Sequence, residues 1–134
     1  MKDKTKPWIE LASKDLIAAE TLKNNESLNN IVLFHCQQSI EKSFKALFEE
    51  NDLRIPRIHS TLKLYTDIMA AGLNINLLVK NEDLVFIDDV YLDTRYPGGT
   101  GLLPSGFPTN KEKSRGLEIT RKILGDVKKI LLLD

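Results

Sequence analysis

Between Pro7 and about Asn24, the residues Trp8, Leu11, Ala12, Leu16, Ala19 and Leu22 recur at the spacing of one helix face, and Pro7 suits a first helical turn. A second helix is predicted from about Ser27 to Glu50, with Val32, Cys36, Ile40, Phe44 and Leu47 on its main apolar side. Leu28, Ile31, Phe34 and Phe48 lie on its other sides, which predicts a central helix with neighbours on more than one face. Asn51 to Pro56 reads as a connection, because proline disfavours helix at the residue before it. His59 or Ser60 then opens a third helix carrying Leu62, Leu64, Tyr65, Ile68 and Met69, with Gly72 as its stop. A fourth is expected over Leu77 to Leu92, with Leu84, Phe86, Ile87 and Tyr91. Arg95 to Asn110 holds four glycines and three prolines, which defeat helix and ladder alike and predict a long loop at about 95–110. From about Lys111 a final helix carries Leu117, Thr120, Leu124, Val127 and Leu131 on one stripe, with Ile119, Ile123 and Ile130 beside it.

The pattern is all-α, and 134 residues suit a single domain spanning 1–134 with one core. Lysine plus arginine equals aspartate plus glutamate at 19 each, so no global positive field exists to hold nucleic acid; any such contact must be local. The lone Cys36 excludes an intramolecular disulfide, and Met1 to Trp8 lacks the apolar core of a signal peptide. No apolar run reaches the roughly 20 residues of a membrane span. A cytoplasmic protein without membrane contact is therefore expected. Two histidines without a convergent carboxylate and cysteine set give no metal signature, and no cofactor is expected.

Three stretches carry a family resemblance: His35-Cys36-Gln37-Gln38-Ser39-Ile40-Glu41-Lys42-Ser43-Phe44-Lys45, His59-Ser60-Thr61-Leu62, and Tyr91-Leu92-Asp93-Thr94-Arg95-Tyr96-Pro97. In order and spacing the chain resembles the HEPN family, the nucleotide-binding domain of higher eukaryotes and prokaryotes. The resemblance implies an up-and-down four- to five-helix bundle, similar to a nucleotidyltransferase substrate-binding subunit. It also implies a homodimer and, as partner, a minimal nucleotidyltransferase in a toxin-antitoxin-type pair. Many members are metal-independent ribonucleases with an arginine followed, after four to six residues, by a histidine. Aligning that arginine with Arg95 puts Thr100, Gly101 and Leu102 where histidine or a variant tyrosine should fall, so the motif is incomplete. Arg54 and His59 satisfy the spacing, but they precede the third helix, whereas the family places its pair near the start of a later one.

Several residues are candidates for chemistry. His35, Gln38, Lys42 and Lys45 recur as one polar stripe on the second helix, either a ligand-facing ridge or a plain solvent face with lysine stems over apolar neighbours. Gln37, at the border of the apolar side, is expected to tie the helix to a loop carbonyl or a neighbouring helix. His59 is a general acid-base candidate or a structural helix opener. Arg95 offers a planar fork to phosphate, one turn after Tyr91 and beside Tyr96; its alternative is an ion pair with Asp88, Asp89 or Asp93. The nucleotide-binding candidates are thus Arg95, Tyr91, Tyr96, Lys42, Lys45, Gln38 and His35, and the catalytic candidates are Arg95 and His59. Leu28, Ile31, Phe34 and Phe86 exceed what one core encloses and suggest a self-association surface. The readings open are an interaction module for nucleotide or RNA, a ribonuclease, and a bundle that only assembles.

Overall fold

The computed structural model describes residues 1–73, 75–77, 79–95 and 106–132, with the side chains of 93–95 outside the description. Among the described residues there are five α-helices and no strand: α1 (Lys6–Leu22), α2 (Asn29–Glu50), α3 (Thr61–Ala70), α4 (Asn81–Arg95) and α5 (Asn110–Leu132), with a 3-10 turn at Glu26–Leu28 leading into α2. The chain is an all-α helical bundle. α2 is its axis and packs against each of the other four helices. Ile40, Phe44 and Leu47 of α2 are buried together with Leu64 and Ile68 of α3, Leu84 and Ile87 of α4, and Ile123, Val127 and Leu131 of α5. A second cluster joins Ala19, Val32, Cys36 and Leu117, where burial pushes the Cys36 thiol up to about 12. There Gly116 lets α5 approach α2, since a Cβ at that position would lie 2.4 Å from Leu33 Cδ2.

Local chemistry sets the helix ends. Thr5 precedes α1 but does not cap it; its hydroxyl donates instead to Glu50 Oε1 at 2.8 Å and pins the chain start to the end of α2. α2 closes with Asp52 at φ +55° and a bond from Leu53 N–H to Phe48 C=O of 2.9 Å, the wrapped C-terminal turn usually given to glycine. Gly72, at φ +85°, follows the end of α3 as expected. Thr109 and Glu112 exchange side-chain and backbone bonds of 2.8 and 3.1 Å and start α5.

α4 differs from the expected Leu77–Leu92. It begins at Asn81, because Asp83 Oδ2 accepts from Lys80 N–H at 3.0 Å and fixes the first turn there. It also runs on through Arg95, three residues past the expected end at Leu92. Most of the loop expected at 95–110 lies outside the described residues.

Candidate functional site

On α2, Phe34, Gln38, Glu41 and Lys45 lie within about 60° of one another around the helix axis, with Gln37 at the edge of that sector. This sector faces the segment leading into α3. Gln37 Nε2 donates to the His59 carbonyl at 2.7 Å, the loop tie expected of it, and Gln38 Nε2 donates to Gln37 Oε1 at 2.7 Å. The His59 ring is held separately, with Nδ1–H donating to Glu41 Oε1 at 2.8 Å. Glu41 is buried, and Lys45 Nζ stands 3.5 Å from its other oxygen. The buried carboxylate thus has cationic and amide partners, as a buried charge requires. His59 is fixed at backbone and ring, yet its side chain remains 55% exposed.

From α4, Tyr91 completes the site from beneath: it is 6% exposed, so it lies in the core rather than open to a ligand or partner as expected of a nucleotide-binding candidate. Its ring stacks on Phe34 at 6.0 Å between centroids and tilts against His59 at 5.9 Å; Phe34 in turn meets His35 edge-on at 5.6 Å. Four rings from α2, α4 and the α3 approach therefore form one continuous row. One helical turn before Tyr91, Asp88 fixes the start of α3: it accepts from Ser60 Oγ, Thr61 Oγ1 and the N–H groups of Thr61 and Leu62 at 2.7 to 3.2 Å. A carboxylate at a helix N-terminus also meets the positive end of the helix dipole. Asp88 is thus engaged with α3. The Arg95 side chain and the whole of Tyr96 lie outside the described residues, so neither they nor the approach of Arg95 to His59 enters this geometry.

The expected single stripe of His35, Gln38, Lys42 and Lys45 is divided by the fold. His35 and Lys42 lie within about 20° of each other around the helix, whereas Gln38 and Lys45 are rotated about 40 to 80° away. His35 Nδ1 meets Asp15 Oδ1 at 3.0 Å and Lys42 Nζ meets Asp15 Oδ2 at 2.6 Å, so this pair faces α1 rather than the His59 side. Asp15 was missed in the sequence. Its signal was its place on α1, three residues after buried Ala12 and four before buried Ala19, where a carboxylate needs a partner.

The apolar surplus is also partly reassigned. Phe86 is half-buried under the Arg115 guanidinium, 4.2 Å from the ring centroid, and Phe34 is half-buried against Tyr91. Leu28 is half-buried, Ile31 is exposed, and on α4 Val85 and Leu92, seven residues apart, are exposed as well. No described helix is long and apolar enough to cross a membrane.

Comparison with known proteins agrees with this architecture. No curated protein matches the sequence. Among solved structures, TT1696 from Thermus thermophilus superposes with a TM-score of 0.72 at 23% identity, covering 96% of this chain and 98% of that one. ST0689, described as an archaeal HEPN homologue, superposes with a TM-score of 0.70 at 25% identity over the same shares of the two chains. The HEPN domain family model matches residues 5–130, so the chain belongs to the HEPN domain family.

Proposed function

We propose that this HEPN protein is an interaction module that binds a nucleotide or a short stretch of RNA on the face formed by Phe34 and His59 over the buried Tyr91, and that it acts as a homodimer. One observation carries the reading: a row of aromatic rings ends in an imidazole held at Nδ1 by a buried carboxylate and half open to solvent. The accessible rings of Phe34 and His59 suit a base, whose flat face stacks on aromatic side chains whatever its sequence. In this reading Gln38 and Lys45 border the base, Arg95 and Tyr96 follow Tyr91 to meet the phosphate, and His35 and Lys42 support α2 from the α1 side. Exposed Ile31, Val85 and Leu92 supply an apolar surface for a second copy. Family membership supports a minimal nucleotidyltransferase as partner, in a toxin-antitoxin-type pair placed in the cytoplasm.

The test is Arg95→Ala. A binding role predicts at least a tenfold loss of affinity for a mononucleotide or oligoribonucleotide, roughly 1.4 kcal/mol, with an unchanged melting temperature. A large fall in melting temperature with unchanged affinity refutes it. Light scattering on the same samples checks the dimer.

A second reading, ribonuclease activity through Arg95 and His59, is favoured by the His59–Glu41 contact alone. A carboxylate on Nδ1 fixes the tautomer and leaves Nε2 to move a proton. RNA cleavage by the native chain that His59→Ala abolishes would establish it.

A further inference from the structure

Residues 53–60, which join α2 to α3, have no regular structure, yet they are tied down along their length. Leu53, Ile55 and Ile58 pack against the main core, the Leu53 amide bonds back to α2, and the His59 carbonyl accepts from Gln37. Arg54 and Arg57 point outward from this tethered segment and are exposed. With Phe48, Ile55, Pro56 and Asp67 they line a cavity of ≈ 680 Å³. Its one carboxylate, Asp67, is paired with Lys63 Nζ at 2.8 Å. Arg115 and Arg121 each have a carboxylate partner, Asp83 and Glu20, whereas Arg54 and Arg57 have none among the described residues. Two guanidiniums lining one partly apolar cavity with no carboxylate bound to either leave a local positive charge that an anion would offset.

We propose that Arg54 and Arg57 form a phosphate-binding site. Two planar forks of N–H donors match an anion with several terminal oxygens, and the apolar wall of Phe48, Ile55 and Pro56 strengthens the attraction by excluding water. The volume falls in the range that holds a phosphate with its nucleoside attached. The phosphate has two sources, a free nucleotide or the backbone of an RNA strand. The site adjoins the row of rings through Arg57, two residues before His59, and extends away from it along α2, where Phe48 lies seven residues beyond Glu41, about 10 Å further along the axis. Its lining shares no side chain with His59, Tyr91 or Phe34, so it does not rest on the reading of those rings.

The experiment is calorimetric titration of the full chain at low salt with inorganic pyrophosphate, AMP and an oligouridylate of about ten nucleotides. Pyrophosphate is expected to bind, and the doubly substituted Arg54→Ala, Arg57→Ala chain to bind it about tenfold or more weakly at an unchanged melting temperature. Lysine at both positions keeps the charge but loses the forks, and should weaken binding about threefold. Lys128→Ala, a basic residue of α5 outside this cavity, should leave pyrophosphate affinity unaltered. An oligouridylate that binds more tightly than AMP, with a steeper loss as salt rises, assigns the phosphate to RNA; equal affinities assign it to a free nucleotide. No pyrophosphate binding by the native chain, or equal binding by the double alanine chain, overturns the proposal.

Discussion

On the α1 side of α2, His35 and Lys42 converge on Asp15, whose side chain is 12% exposed; on the α3 side, Gln37, Glu41 and Lys45 gather around His59, whose side chain is 55% exposed. Both flanks pair a histidine and a lysine with a carboxylate. They differ in which group is sequestered. On the first flank all three side chains are more than two-thirds covered between two helices, so the cluster locks α1 to α2. On the second, the carboxylate is buried and the imidazole edge is open, so the same chemistry leaves a reactive group on the surface. Polar residues at helical spacing thus acquire a role from the neighbour they meet.

Four substitutions can break or sharpen this contrast. The largest stability effect is expected from Asp88→Ala, which removes four hydrogen bonds at the start of α3, at a cost of about 2–4 kcal/mol in chemical denaturation. Because Ser60 and Thr61 adjoin His59, nucleotide affinity should fall too. Asp15→Ala should cost about 1–3 kcal/mol by leaving Lys42 and His35 without their counter-charge, with nucleotide affinity unchanged. A loss of binding there would mean that the α1 flank also takes part in recognition.

The contact between α1 and α5 adds a pH signature. The Arg121 guanidinium, with help from Lys23, holds the Glu20 carboxyl at about 2, below its ordinary 4.5. A depressed folded value stabilises the fold above about 4.5 and loses that contribution as pH falls toward 2. Thermal melts over that window should therefore decline less steeply for Glu20→Gln than for the native chain. The smallest stability effect belongs to His59→Ala, under about 0.5 kcal/mol because the ring is half open and Glu41 keeps Lys45 and Gln37. Its nucleotide affinity should nevertheless drop in titration. A stability loss as large as that of Asp15→Ala would make His59 a structural residue and erase the contrast.

Most helices were legible because their apolar residues repeat at the helical period and their ends carry local signals such as Pro7, Ser60 and Gly72. The start of α4 was misplaced because Leu77 and Val79 are apolar without being helical; they pack against the core from the segment before Asn81. At the site, the tie from Gln37 to a loop carbonyl followed from its border position. The division of the polar stripe did not, since the stripe spans some tens of degrees of the helix surface and which neighbour meets each part of it is decided only by packing.

What the linear order of residues settled here is local: helical periodicity, end signals, and the central place of the second helix, because backbone bonding and apolar spacing act over a few neighbours. The pairing of His59 with Glu41, of Asp15 with two α2 side chains and of Phe34 with Tyr91 joins residues 18 to 57 positions apart. Such contacts depend on how the helices are rotated and offset against one another, which buried volume sets across the whole bundle at once. Exposure, and with it the difference between a lock and a site, emerges at that level.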